Sequence, residues 1–256
     1  MQYEGGHPIN AAKRKMLAGK PALGTGSGWA SARAAEDLSF SGLDFVLCDL
    51  QHGEWTDATV AEGFRAINHG PATPMARVGR NDFGAIGRLL DRGALGIIIP
   101  LVNTVEDARA AAYAARFPPH GGRSWGGGPS HYGPRYERWV DDELFLAVQI
   151  ESITAVENAE AILSVPGVDG CWVGPADLAK SMDIDRETPE GARQQTAAIL
   201  RVIEACRKTG KIAGISAGLD VSFWLRSGMQ FVTMGADSVF MLEGARRAFE
   251  LAGQGR

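Results

Sequence analysis

Phe145-Leu146-Ala147-Val148-Gln149-Ile150-Glu151 is the stretch on which the fold turns. Its apolar residues run on without alternation, so both faces of the segment need apolar cover, as in a parallel strand flanked by helices. Comparable runs occur at Ala22 to Gly26, Phe45 to Asp49, Pro74 to Val78, Leu95 to Leu101, Gly170 to Gly174, Ile212 to Ser216 and Phe231 to Met234. Segments with helical spacing lie between them, and that alternation selects an α/β class. Eight strand–helix units within 256 residues favour a single (β/α)8 TIM barrel, one domain over 1–256, above a doubly wound sheet. No dinucleotide fingerprint or Walker lysine follows any run, which also counts against a Rossmann domain.

Helix signals fit this scheme. Val60, Phe64 and Ile67 share a face after the cap candidate Thr56, and Ile86, Leu89 and Leu90 share one after Asp82. Thr104 with Asp107 opens a helix that Ala108 to Arg116 continue, and Thr154 with Glu157 spells another capping box. The segment at about 117–142 breaks the rhythm with too much Gly and Pro for helix or central strand. Its Arg123, Trp125, His131, Tyr132, Tyr136 and Trp139 predict an active-site or interface loop, read here as lying over the pocket mouth. Arg135 to Glu143 form a short helix leading into the fifth strand on this reading.

Composition narrows the function. The net charge of −4 and the lack of any basic block exclude a nucleic-acid-binding surface. Cys48, Cys171 and Cys206 are odd in number and widely spaced, so no disulfide framework is expected. The N-terminus lacks an apolar signal core, and no stretch approaches the length of a membrane span. The cytoplasm is the expected compartment.

Two acids carry the chemistry. Glu151 and Asp177 each stand just past an apolar run, and in a parallel barrel such positions open onto one face. Two carboxylates there leave most of an octahedral shell to water and substrate, the habit of Mg²⁺ or Mn²⁺. Helix capping is the alternative for either acid, and the Thr154 box leaves Glu151 without that task. His52 falls in the loop after the second strand, where a solvated or structural histidine is the alternative. Arg77 lies near the end of the third, where a buried cation needs an anion: a substrate carboxylate, a developing enolate or a salt-bridge partner. Asp91 ends a helix, where the macrodipole disfavours it, so a partner is expected, with His52 and Arg92 as candidates.

Asp49-x-Gln51-His52, Arg77 with Asn81-Asp82, Leu90-Asp91-x-Gly93-Ala94, Phe117-Pro118-Pro119-x-Gly121-x-Arg123, Gln149-Ile150-Glu151 and Gly174-Pro175-Ala176-Asp177-Leu178 together resemble the HpcH/HpaI aldolase family, the metal-dependent pyruvate aldolases. The likeness runs in order from about Asn10 to Phe249. It implies a barrel of the phosphoenolpyruvate/pyruvate superfamily, usually a hexamer built as a trimer of dimers, with terminal helices exchanged between subunits. It further implies that Glu151 and Asp177 hold a divalent cation (Mg²⁺, Mn²⁺ or Co²⁺), and that Gln149 and the backbone at Ala176 and Asp177 contact pyruvate. Arg77 would stabilise the transition state, and His52 would be the acid/base assisted by Asp91. Many members carry glutamate where this chain has Gln51, which removes one negative charge near the site.

The implied activity is reversible cleavage of 4-hydroxy-2-oxoacids to pyruvate, or a related 2-oxoacid such as hydroxypyruvate, and an aldehyde. Arg123, Trp125, Ser216 and Ala217 are the candidate aldehyde selectors. A Schiff-base aldolase would need a strand-end lysine, whereas Lys180, Lys208 and Lys211 fall on or beside helical segments. A related acyl-CoA lyase of the citrate-lyase β type competes with this activity, as does a non-catalytic metabolite-binding barrel.

Overall fold

Eight parallel strands close on themselves in the computed structural model, each hydrogen-bonded to its sequence neighbours and the last to the first. They are β1 (Ala22–Ser27), β2 (Phe45–Asp49), β3 (Thr73–Arg77), β4 (Gly96–Ile99), β5 (Phe145–Ile150), β6 (Gly170–Val173), β7 (Gly214–Ser216) and β8 (Phe231–Ala236). The structure describes residues 3–4 and 7–253. Each apolar run read as a strand is one, and the (β/α)8 barrel is the fold. The helices are α1 (Ala11–Leu17), α2 (Ala32–Ser39), α3 (Val60–His69), α4 (Phe83–Arg92), α5 (Val105–Ala115), α6 (Tyr136–Glu143), α7 (Ile153–Glu157), α8 (Ala159–Leu163), α9 (Pro175–Ser181), α10 (Pro189–Thr209), α11 (Ser222–Arg226) and α12 (Asp237–Leu251).

The lack of alternation in the strands has a plain cause: both faces are buried. Phe45 and Leu47 of β2 join Met75, Ile98, Phe145, Trp172 and Phe231 in the barrel interior. Val46 and Cys48 face the other way and pack with Ala76, Ile97, Ile99 and the helix layer. Phe231 lies with its ring centroid 4.7 Å from that of Phe45 and 4.9 Å from that of Phe145. Gly24 makes room for this stack, since a Cβ there would come within 2.4 Å of the Phe45 ring. α1 closes the N-terminal end of the barrel, with Met16 in the interior cluster and the Asn10 side-chain amide donating to Leu95 O at 2.8 Å.

Two caps differ from the sequence reading. Thr59, not Thr56, is the N-cap of α3, because Thr56 O accepts the N–H groups of Thr59 and Val60 in a preceding turn. Ser152, not Thr154, caps α7, its Oγ accepting from Ala155 N at 3.0 Å. The Asp82 cap and the Thr104–Asp107 capping box form as read.

The Gly/Pro-rich segment does not cover the strand ends that carry Glu151 and Asp177. It begins after α5, and in a βα barrel each helix hands the chain back to the start of the next strand, at the N-terminal face. There Phe117, Tyr132, Tyr136, Trp139 and Val140 pack with Leu95, just ahead of β4. The Tyr136 hydroxyl donates to Leu90 O at 3.1 Å and that of Tyr132 to Gly93 O. Along α12, Met241, Leu242, Phe249 and Leu251 stay exposed on this chain. No helix among the described residues is long and apolar enough to cross a membrane.

Phe231→Ala removes the ring that bridges Phe45 and Phe145. It is expected to lower the unfolding free energy by about 3–5 kcal/mol in urea titrations, and a loss below about 1 kcal/mol would contradict this packing.

Candidate active site

Register sets the first pair of the site. Asp49 on β2 lies directly opposite Arg77 on β3. Arg77 forks Nε and Nη2 onto the two oxygens of that carboxylate, with Nε–Oδ1 at 2.9 Å. Asp49 Oδ1 also accepts the backbone N–H of Gln51 at 2.9 Å and of His52 at 3.3 Å. One carboxylate thus orients the arginine and shapes the loop that carries His52. Burial pushes the Asp49 carboxyl up, but the Arg77 guanidinium and the two loop amides outweigh it and hold the group below its usual value. Arg77 also lies over the Trp172 ring at 5.3 Å, and Trp172 Nε1 donates to Thr233 Oγ1 at 3.0 Å. The anion that Arg77 needs is therefore supplied within the chain. His52 itself is exposed.

The second half of the site is built from three adjacent strand ends. Glu151, just past β5, is only 4% exposed. Its Oε1 accepts from Leu101 N, past β4, at 2.8 Å, and its Oε2 accepts from Gln149 Nε2. Gly174, past β6, completes the cradle: a Cβ there would lie 3.0 Å from Gln149 Nε2 and 3.1 Å from Glu151 Cβ. Burial raises the Glu151 carboxyl above its ordinary value and the Leu101 N–H lowers it; Asp177 raises it further and Arg77 lowers it. The structure therefore brings Arg77, Gln149, Glu151 and Asp177 into one electrostatic neighbourhood.

Asp177 occupies the first turn of α9 and is half exposed, with Lys180 Nζ 3.9 Å away across solvent. Leu178 N is bonded back to Gly174 O. The N–H groups of Ala176 and Asp177 precede it, in the part of a helix where amides have no intrahelical acceptor. Ser216 ends β7 on the same face, partly buried.

Asp91 and Arg123 are not part of this constellation within one chain. Asp91 lies in the last turn of α4, at the N-terminal face, and its Oδ1 accepts from Arg123 Nη2 at 2.6 Å. Arg123 is buried, stacked 4.4 Å over the Phe117 ring and donating to the Tyr136 hydroxyl at 3.2 Å. The expected His52–Asp91 pairing is replaced by Asp91–Arg123, because a helix ending and a strand ending lie at opposite ends of a βα barrel. Asp49, Trp172, Thr233 and Leu101 are the site's neighbours that residue-type reasoning missed. Asp49 stands in one of the sequence motifs, but only its register reveals its partner.

The donor set suits a hard divalent cation. Glu151 and Asp177 offer two carboxylates, and such ions commonly take one or two from protein and fill the shell with water and substrate. Gln51 Oε1 and Gln149 Oε1 are buried without a hydrogen-bond partner, two acceptors at the same end of the barrel suited to ordered water or a ligand donor. Among the described residues no cluster of three or more His, Cys, Asp or Glu forms. A groove of about 560 Å³ between α7, α8 and α10, lined by Val156, Leu200 and Lys208, holds none of these residues.

The family model described as HpcH/HpaI aldolase/citrate lyase matches residues 27–243. The chain is 35% identical over 243 residues to a 4-hydroxy-2-oxo-heptane-1,7-dioate aldolase of Klebsiella pneumoniae, covering 92% of this chain and 91% of that relative. It is 36% identical over 245 residues to a pyruvate aldolase of Rhizobium etli, covering 93% and 95%. A crystal structure of a HpcH/HpaI aldolase/citrate lyase family protein from Burkholderia cenocepacia superposes with a TM-score of 0.85 at 30% identity, covering 95% of this chain and 99% of the other.

Burial of the Glu151 charge has a measurable sign. Its folded-state pKa lies above the unfolded value, so between the two the folded chain binds more protons and stability falls as pH rises. Without added metal, Glu151→Gln is expected to raise the thermal midpoint at pH 7.5. The two proteins should converge as pH falls below the ordinary glutamate value near 4.5. A variant less stable than wild type at pH 7.5 would contradict a strained, desolvated carboxylate.

Proposed function

The chain belongs to the HpcH/HpaI aldolase/citrate lyase family, and from that premise we propose that it is a divalent-metal-dependent aldolase interconverting 4-hydroxy-2-oxoacids with an aldehyde and pyruvate or a related 2-oxoacid such as hydroxypyruvate. The observation that carries this reading is the buried Glu151 carboxylate beside Asp177 and Arg77 on the strand-end face. Glu151 and Asp177 would hold Mg²⁺, Mn²⁺ or Co²⁺. When bound, the cation supplies Lewis-acid polarisation of the keto group of the 2-oxoacid.

The chain's own residues do the rest. Gln149 and the first-turn N–H groups of Ala176 and Asp177 hold the 2-oxoacid end, as a helix N-terminus suits an anion. In the cleavage direction His52 takes the proton of the C4 hydroxyl, the C3–C4 bond breaks, and the aldehyde departs. The bonding pair passes to C3–C2 and the keto oxygen gains the charge of an enolate. Asp49 engages Nε and Nη2 of Arg77, which leaves Nη1 outside that fork for the enolate oxygen. His52 then returns its proton to C3, giving pyruvate. Ser216 on the same face is a selector of the aldehyde.

Asp91 serves His52 on this reading only from a neighbouring copy, since the two stand at opposite ends of one barrel. The exposed apolar residues of α12 support a homo-oligomer in which that helix packs on a partner, with a hexamer as its full form. The protein acts in the cytoplasm on this reading.

Chelation with EDTA is expected to abolish pyruvate formation, and Mn²⁺, Mg²⁺ or Co²⁺ to restore it; full activity in excess EDTA would defeat the assignment. Co-expression of His52→Ala with Asp91→Asn tests the shared site. Random mixing leaves half the sites with His52 and half with Asp91, so about a quarter of the sites regain both. Activity that stays at the level of the single variants would confine Asp91 to its Arg123 contact.

A further inference from the structure

Among the described residues, Leu101, Arg135 and Asp183 are the non-glycine residues with left-handed backbone, at φ 57°, 61° and 53°. Leu101 is the one that touches the catalytic face. A leucine has no polar side chain to offset this conformation, so its surroundings must impose it. Packing does not, because the Leu101 side chain is 60% exposed. The ties are in the backbone: Asn103 Nδ2 donates to Leu101 O at 3.3 Å, Ser152 Oγ donates to Asn103 Oδ1, and Asn158 Nδ2 donates to Asn103 O at 2.9 Å. The segment from 101 to 103 is thereby fastened to the residues that follow β5. The left-handed turn lets Leu101 offer its N–H to Glu151 Oε1 at 2.8 Å while the chain still swings away into α5.

We propose that Leu101 is a positioning residue: its left-handed backbone amide, held through Asn103, fixes the Glu151 carboxylate in the orientation in which it binds the cation. The proposal rests on the metal-dependent reading above. Each oxygen of Glu151 accepts from one anchored donor, and the Leu101 donor comes from a neighbouring strand end, so it cannot move with β5 as Gln149 does. What matters at position 101 is therefore the backbone conformation and not the side chain.

Titration of the metal-free, full-length protein with Mn²⁺, followed by the electron paramagnetic resonance signal of the free ion, reads this directly. Leu101→Gly and Leu101→Ala keep the amide and tolerate the turn as well as leucine does, so both are expected to bind Mn²⁺ within about twofold of wild type. Leu101→Ile puts a β-branch on a left-handed residue, and affinity should fall about tenfold. Asn103→Ala cuts the tie without touching residue 101 and should weaken binding about fivefold, which keeps the test open if the isoleucine variant does not fold. Wild-type affinity in Asn103→Ala and in every folded Leu101→Ile preparation would overturn the proposal. So would a loss in Leu101→Gly equal to that in Leu101→Ile, the result expected of ordinary side-chain packing. Glu151→Gln separates the two levels: if it binds Mn²⁺ as wild type does, the metal assignment itself fails.

Discussion

A carboxyl group that is 4% exposed, with a second carboxylate as its neighbour, is expensive for a protein to keep ionised, and its pKa is raised accordingly. Glu151 receives one N–H on each oxygen and the distant help of Arg77, but among the described residues no cation forms an ion pair with it. Arg77 is committed to Asp49, through a fork that register imposes on β2 and β3. The buried Glu151 charge is therefore left without a close counter-ion beside the half-exposed Asp177, a deficit that a hydrated dication would offset. That deficit, more than the identity of any single residue, is what the proposed metal-assisted reading rests on.

The barrel divides its labour between two ends. At the N-terminal end, α1, the aromatic cluster around Tyr136 and the Lys13–Arg116–Asp169 ion pairs close the floor and hold the strand starts. At the other end, the buried Glu151 carboxyl is held between Gln149, the left-handed Leu101 and Gly174. The interior stack of Phe45, Phe145 and Phe231 lies between, and gives the rigidity against which the strand-end groups are positioned. Trp172 links the two levels, with the apolar core around it and Arg77 above its ring.

Much of this was legible in the sequence. Eight continuous apolar runs became eight strands because burial on both faces leaves no solvent side to be polar. Glu151, Asp177, Arg77 and His52 lie on the strand-end face because topology alone sends strand ends there. The same rule, applied to helix ends, would have placed Asp91 and the segment after Arg116 on the far face. Residue content pointed elsewhere: aromatic and basic side chains suggested a loop over the pocket mouth, and the charge at a helix end suggested His52 as the partner of Asp91, as the resemblance also implied. The Asp49–Arg77 fork was hidden for a different reason. Cross-strand pairing depends on register, and apolar runs of four to six residues fix register only to within a residue or two. Thr56 and Thr154 misled because a threonine two or three residues from the true cap looks the same in sequence as the cap itself.

The most direct measurement is the anomalous difference density of a crystal grown in manganese and soaked with pyruvate. The account requires a peak within coordination distance of carboxylate oxygens from both Glu151 and Asp177, with pyruvate density reaching the amides of Ala176 and Asp177. A manganese peak elsewhere, or pyruvate bound with Glu151 turned out of contact with the ion, would contradict it.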